Sequence, residues 1–436
     1  MQGIILSAGK GERLRAANPS SIKPLYTFFG IPLLERNIRL LLSLNFEEIV
    51  VVLGETGAII EKFLQKKFKK EKRLKVFYAS NYLKGNAFTL LDIKPIARDR
   101  FVLLMGDHVH LKDNLLKLLK SNEENVLAVS KRTDLSSVEE ATLIEVRDGQ
   151  VHNIGKNIKE WNYIDTGLFK FSPAVFNQLE DKVEETGGEL NLSLRGWKEL
   201  KAVDIGNGFW YDVDTVEDKI RGEKLFQEAL RKKSDGLISR FINRKISLKL
   251  SRLLALLPFN AHFYSVLSFL LLLLSSIFFY WRWLPLGGIL VQISSIIDGV
   301  DGEIARVRGE ESKWGAYFDS ILDRIGDSIL IFSVSIPSFL IDYNSWYLIL
   351  GFTALLFSHL SMLEKDKIKS LTGREFYEID PVYLLPSSRD SRLFLIFIFS
   401  LFGKTLEPLF LISLFGFMHT FLRLFFLKNI FEKEAT

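Results

Sequence analysis

From Phe259 onward long apolar runs dominate the chain, and four aspartates, Asp298, Asp301, Asp319 and Asp323, stand inside two of those runs. A carboxylate at mid-bilayer costs about 2.5–3.5 kcal/mol, so four cost on the order of 10 kcal/mol unless something offsets the charge. Their spacing suggests what does. Asp298 and Asp301 are i,i+3 on one expected helix, and Asp319 and Asp323 are i,i+4 on the next, so each pair projects from one helical face. A short basic loop joins the two helices and lets the faces meet. Converging carboxylates need cations, and hard divalent ions with oxygen ligands fit best. Two other readings compete: structural acids paired with Arg306, Arg308 and Arg324, and an ion or proton pathway. Against the first, Arg306 and Arg308 sit near the water interface and would snorkel away. Against the second, a pathway would spread its acids over several helices.

The pattern Asp298-x-x-Asp301-Gly302-x-x-Ala305-Arg306-x8-Gly315-x-x-x-Asp319-x-x-x-Asp323 resembles, without departure, the signature of the CDP-alcohol phosphotransferases. The resemblance implies that Asp298, Asp301 and Asp319 hold two divalent ions, Mg²⁺ or Mn²⁺, with Asp323 beside them as general base. It also implies that Gly302, Ala305, Arg306 and Gly315 belong to the nucleotide site.

The first half reads differently. Apolar strand patterns recur at 3–7, 49–53, 75–79, 101–105 and 125–129, with helical patterns between the early ones. Strands alternating with helices predict a Rossmann-like α/β domain with a mostly parallel sheet, its ligand beyond the carboxyl ends of the strands. After the first strand comes Ala8-Gly9-Lys10-Gly11-Glu12-Arg13-Leu14, a glycine-rich loop whose backbone N–H groups can approach phosphates. Leu14 occupies the place of a dinucleotide fingerprint's third glycine, and the Gly-Lys-Ser/Thr ending of a P-loop is missing.

Ala8-Gly9-x-Gly11-x-Arg13 followed by Lys23-Pro24-Leu25 resembles instead the sugar-phosphate nucleotidyltransferases. That resemblance extends over residues 1 to about 220. It implies metal-binding roles for Asp107, after Gly106, and for Asp212 and Asp214 in Trp210-Tyr211-Asp212-Val213-Asp214. Lys23 and Arg13 would neutralise triphosphate charge, and at least one Mg²⁺ would bridge the phosphates. Lys84-Gly85-Asn86 resembles the base-reading segment of cytidylyltransferases, which makes Gly85 and Asn86 base-binding candidates. Asp165-Thr166-Gly167 matches the substrate segment.

Three segments result: a cytoplasmic nucleotidyltransferase domain at 1–225, basic amphipathic juxtamembrane helices at 226–258, and an all-α six-helix transmembrane domain at 259–436. The linker interleaves Lys and Arg with Leu237, Ile238, Phe241, Ile246 and Leu253 at helical spacing, as expected of helices on an anionic membrane surface. The six expected spans run about 260–281, 284–305, 314–341, 345–363, 389–403 and 406–427, the fifth short. Basic residues crowd alternate loops, with only Arg282 and Lys404 on the opposite side, which places both termini and the aspartates toward the cytoplasm of a multi-pass cell-membrane protein. Arg374, Arg389 and Arg392 on that side are candidates for an acceptor phosphate, and Asn260 for a nucleotide contact. The formal charge of +5 is too small to argue for nucleic acid. The absence of Cys excludes disulfides and thiolate metal sites. Dense Lys and Glu with few Met suit a thermophile.

The two halves interlock chemically, one making an activated nucleotide alcohol and the other consuming a CDP-alcohol. The pairing resembles the bifunctional inositol-1-phosphate cytidylyltransferase/di-myo-inositol-phosphate phosphate synthase family. It implies CTP, inositol-1-phosphate and CDP-inositol as partners, and a homodimer through the membrane domain. The competing expectation is a CDP-alcohol-dependent phospholipid synthase, its first domain activating another alcohol phosphate or acting only in regulation.

Overall fold

The computed structural model describes residues 1–434 apart from 10, 18–20, 136–140, 232–233, 381 and 384. The chain divides into two compact units, Met1–Ala229 with Arg306–Glu311, and Leu230–Ala305 with Ser312–Thr436.

The first unit is built on a nine-stranded sheet. Its strands are β1 (Gln2–Ser7), β2 (Glu48–Leu53), β3 (Leu74–Tyr78), β4 (Phe101–Met105), β5 (Val126–Ser130), β6 (Leu143–Arg147), β7 (Gln150–Gly155), β8 (Tyr163–Phe171) and β9 (Lys201–Asp204). Their order across the sheet is β3-β2-β1-β4-β8-β5-β9-β7-β6. The block β3-β2-β1-β4 is parallel, and β8 turns the sheet antiparallel on both of its sides. All of β1 and β2 is buried, which explains their unbroken apolar runs: strands covered by helices on both faces have no polar side. The chain lays down β1, β2 and β3 in one direction, then returns to place β4 on the other side of β1. That reversal opens a crevice at the carboxyl ends of β1 and β4, where α/β sheets bind ligands.

The second unit is helical. A π-helical turn, Ser239–Asn243, leads into α1 (Arg244–Leu254). Then follow α2 (Ala261–Tyr280), α3 (Leu284–Arg308), α4 (Lys313–Asp342), α5 (Trp346–Thr372), α6 (Arg389–Leu401) and α7 (Leu406–Glu434). Five of these, α2 to α5 and α7, are long and apolar enough to cross a membrane. The fifth expected span, α6, has only 13 residues, about 20 Å of helix against the roughly 30 Å of a bilayer core. Its first turn goes to Arg389, Asp390 and Arg392, leaving too short an apolar stretch. Leu272, Val291, Leu330, Val334, Ala354, Leu393 and Ile412 pack together in the bundle core. Small residues allow the helices to approach closely: Ser275 Oγ donates to Gly287 O (2.8 Å), and a Cβ on Gly416 would collide with Phe357. Leu270, Phe352 and Leu424 are more than half exposed, as expected of a surface facing lipid.

The amphipathic helix α1 buries its polar stripe. Arg244, Ser247 and Ser251 are buried, whereas Leu253 and, in the preceding turn, Phe241 are each 64% exposed.

Candidate active sites in the two units

In the first unit, β1 runs into the glycine-rich loop, and β4 ends at Gly106-Asp107 one strand away. Gly11 adopts φ +64°, and a Cβ there would lie 2.9 Å from Lys23 Cβ, so the loop closes over Lys23 only with glycine at that place. Ala8 is buried and Gly9 is exposed. A small ribbon pairs His108–His110 with Trp210–Asp212 and sets Asp212 opposite His108. This ribbon draws together residues a hundred positions apart. Lys23 Nζ lies 2.5 Å from Asp107 Oδ2 and also bonds Asp214, while Arg13 Nη1 lies 2.9 Å from Asp214 Oδ2. His108 Nδ1 is 2.8 Å from Asp107 Oδ1 and 3.7 Å from Asp212 Oδ1.

Burial by itself would lower the Lys23 ammonium, but Asp107, Asp212 and Asp214 override it and hold the pKa well above the usual lysine value. Burial likewise works against charge on His108, yet Asp212, Asp107 and Asp165 raise it to about 9. Asp212 is pushed up by burial and by the neighbouring Asp107 and Asp214 charges, although His108 and Lys23 oppose the shift. Asp107 moves the other way, because Lys23 and His108 outweigh its burial.

Asp107, His108 and Asp212 offer ligand atoms all within 4.8 Å of one another. Asp212 Oδ1 is buried with no hydrogen-bond partner. A buried carboxylate oxygen in that condition suits a divalent cation, so the donor set fits a Mg²⁺-type ion. His108 was not evident from sequence, since its place opposite Asp212 depends on strand pairing.

An open cleft of about 210 Å³ lies beside this cluster, lined by Arg13, Asn86, Asp165, Asn191, Asp212 and Asp214 among others. Asn86 Oδ1 accepts from Leu190 N (2.8 Å). A Cβ on Gly85, at φ +127°, would strike Gly188 O. Asn191 Nδ2 donates to Asp165 Oδ2 (2.8 Å), Gly167 N donates to Asp165 Oδ1 (2.9 Å), and burial raises the Asp165 carboxyl. Thr166 is buried and donates to Ala128 O (2.8 Å), so its hydroxyl holds the strand rather than the cleft.

In the second unit, α3 and α4 bring their aspartates together as the spacing predicts. Asp298, Asp319 and Asp323 present oxygens within 4.8 Å of one another. Asp301 accepts from Ser265 of α2 and lies within hydrogen-bond reach of Asp319. Arg389 Nη1 stands 2.9 Å from both Asp298 Oδ1 and Asp323 Oδ1, and its Nε bonds Asp327 (3.0 Å). A guanidinium bridging two of the acids marks a place that takes positive charge, and the all-oxygen donor set fits divalent ions. Arg392 bonds Asp327 (3.1 Å) and Ser387 O (2.7 Å).

Ser312 caps α4 by accepting from Gly315 N (3.0 Å), and a Cβ on Gly315 would crowd His262 and Ser312. Gly302 and Ala305 are half-buried on α3, and Arg306 opens the short segment grouped with the first unit. Asn260 accepts from Phe263 N (3.0 Å), which makes it the N-cap of α2. Arg374 is exposed just beyond α5.

Sequence reasoning did not single out Glu303. It is fully buried on α3, accepting from Arg244 Nη1 (2.6 Å), Ser247 (2.7 Å) and Ser251 (2.6 Å) of α1. Arg244 also grips Asp235 with two hydrogen bonds of 2.8 Å. Glu303 stands between Asp301 and Arg306 in the same acidic stretch, where it reads as one more acid of that motif.

Two folds, each with its own acidic centre, define a two-domain membrane transferase. Residues 2–228 match the nucleotidyl transferase family model, and residues 259–421 match that of CDP-alcohol phosphatidyltransferase. Relatives named bifunctional IPC transferase and DIPP synthase align over nearly the whole chain. That of Archaeoglobus fulgidus is 34% identical over 92% of this chain and 78% of its own length. That of Thermococcus kodakarensis is 33% identical over 94% and 93%, respectively. The inositol-1-phosphate CTP transferase structure from T. maritima aligns with 52% of this chain and 96% of its own, at 27% identity and a TM-score of 0.47. The chain belongs to the family of bifunctional IPC transferase and DIPP synthases.

Proposed function

We propose that the chain makes CDP-inositol and pyrophosphate from CTP and inositol-1-phosphate, then joins CDP-inositol to an inositol phosphate, releasing CMP and a phosphorylated di-inositol phosphodiester. The observation that carries this reading is the presence, in one chain, of two acidic centres on the two family folds, with relatives of both halves that share one bifunctional name.

In the first step the backbone at Ala8, Gly9 and Gly11 receives the triphosphate, and Lys23 and Arg13 neutralise it. Lys23 already balances Asp107 and Asp214, so nucleotide phosphates and these carboxylates compete for one ammonium. Gly85 and Asn86 read the base. Asp165, oriented by Asn191, accepts from an inositol hydroxyl. The inositol phosphate oxygen attacks the α-phosphorus of CTP, and pyrophosphate leaves.

In the second step Asp323 takes the proton of the acceptor hydroxyl. The resulting oxygen attacks the β-phosphorus of CDP-inositol, and the bond to CMP breaks. Gly302, Ala305, Arg306 and Gly315 border the nucleotide, and Arg389 holds the acceptor phosphate and tempers the charge on Asp298 and Asp323. Divalent ions, when bound, supply charge neutralisation for the phosphates at both centres: two at Asp298, Asp301, Asp319 and Asp323, and at least one at Asp107, Asp212 and Asp214.

The first domain and both termini face the cytoplasm, as the basic loops Arg306–Lys313 and Lys365–Arg392 argue. The protein works as a homodimer through its membrane domain, as the CDP-alcohol phosphotransferase resemblance implies. Incubating purified protein with CTP, Mg²⁺ and inositol-1-phosphate, then identifying products by mass and phosphorus NMR, tests the scheme. Formation of pyrophosphate, CMP and the phosphodiester is expected; pyrophosphate without CMP would refute the second step.

A further inference from the structure

A pocket of about 250 Å³ opens beside Asp298, Asp319 and Asp323. Every described residue on its wall is polar, charged or glycine. That is an unusual lining within a bundle whose outer surface is apolar, because an acyl chain would leave these groups unpaired and lose their hydration. Arg389 and Lys365 stand on the wall beside the acids, and Ser234, Ser239, Asn243, Ser295, Ser388 and Asp390 complete it.

The latter residues are held by specific bonds. Ser239 N donates to Asp390 Oδ2 (2.6 Å), which ties the chain entering α1 to the start of α6. A Cβ on Gly236 would crowd Ser388 Oγ and the Asp390 carboxylate, so a larger residue there would push those side chains aside. Asn243 donates to Ser295 Oγ (3.0 Å) and accepts from Gln292 Nε2 (2.8 Å). Ser239 and Asn243 begin and end the π-helical turn. Such turns are rare and concentrate at functional sites, because the extra residue rotates side chains out of ordinary helical register.

We propose that this turn, with Asp390, reads the ring hydroxyls of a soluble polyol phosphate while Arg389 and Lys365 take its phosphate, and that Ser239 Oγ contacts a substrate hydroxyl directly. The proposal rests on the second reaction described above and assigns the residues that read its acceptor's ring. Ser239 commits its backbone N–H to Asp390, so replacing its side chain leaves that bond in place.

The test uses full-length protein in detergent, with CDP-inositol supplied directly and CMP release measured against inositol-1-phosphate concentration. Ser239→Ala should raise the KM for inositol-1-phosphate about five-fold, the fold-change of one lost uncharged hydrogen bond, with kcat within about two-fold. Inhibition by inorganic phosphate, which shares Arg389 and Lys365 but has no ring hydroxyls, should be unchanged. An unaltered KM would overturn the proposal. So would a fall in kcat alone, or a parallel weakening of phosphate inhibition, since either marks a structural fault in the turn. Failure of the wild type to release CMP from CDP-inositol would instead sink the underlying reaction, and the wall with it. CMP release from CDP-inositol with diacylglycerol in liposomes as acceptor, at a rate matching inositol-1-phosphate, would count against a wall that excludes acyl chains.

Discussion

Arg389 Nη1 lies 2.9 Å from Asp323 Oδ1, so the proposed general base is already ion-paired to a half-buried cation contributed by another helix. The same guanidinium reaches Asp298 and Asp327. Planar and always charged, arginine can bind several carboxylates and a phosphate at once. Arg389→Ala should therefore lower CMP release about 100-fold or more. CDP-inositol synthesis, measured as pyrophosphate release, should stay within about two-fold. Arg389→Lys should recover little, since a point charge cannot span the three acids.

Asp323→Asn should abolish CMP release and leave pyrophosphate release intact. The amide keeps the shape of the side chain but cannot accept the acceptor's proton. Normal turnover by this variant would remove Asp323 from its role.

Lys23→Ala and Asp107→Ala should give the reverse pattern. Both disrupt the cluster where Lys23 joins Asp107 to Asp214, so pyrophosphate release from CTP is lost. Added CDP-inositol should bypass the defect and restore the phosphodiester. A variant that stays inactive with the supplement would contradict two separable sites.

Chelation should stop both steps. Treatment with EDTA is expected to end pyrophosphate and CMP release together, and returning Mg²⁺ should restore both. An EDTA-resistant second step would argue that Arg389 alone compensates the membrane acids.

Arg244→Ala should destabilise the membrane unit by about 3–5 kcal/mol, because it leaves Glu303 and Asp235 buried without their cation. A lower thermal midpoint in detergent is the readout, and Arg244→Lys should recover only part of it. Since Glu303 lies two residues from Asp301 on α3, loss of the second activity should accompany unfolding and not precede it.

Much of both centres could be read from the chain. Asp298, Asp301, Asp319 and Asp323 stood out because helical spacing and apolar flanks are local properties. Lys23, Asp107 and Asp214 stood out because each follows a strand end or a short motif. His108, Lys365 and the Arg244–Glu303 pair did not, because their partners come from other elements. The spans were legible, and the one read as short is the 13-residue α6, whose first turn is charged.

By itself the sequence determined the spacing of acids along α3 and α4, the buried strands of the first unit and the apolar length of five helices. These follow from backbone geometry and from hydrophobic pattern within a few turns of chain. Tertiary structure alone decided which group meets which: Asp212 set opposite His108 by a strand ribbon, Asp301 turned to Ser265, and Arg389 drawn in among Asp298, Asp323 and Asp327. Those pairings arise from how separate elements pack, and burial then enforces them, since a charge removed from water needs a partner nearby.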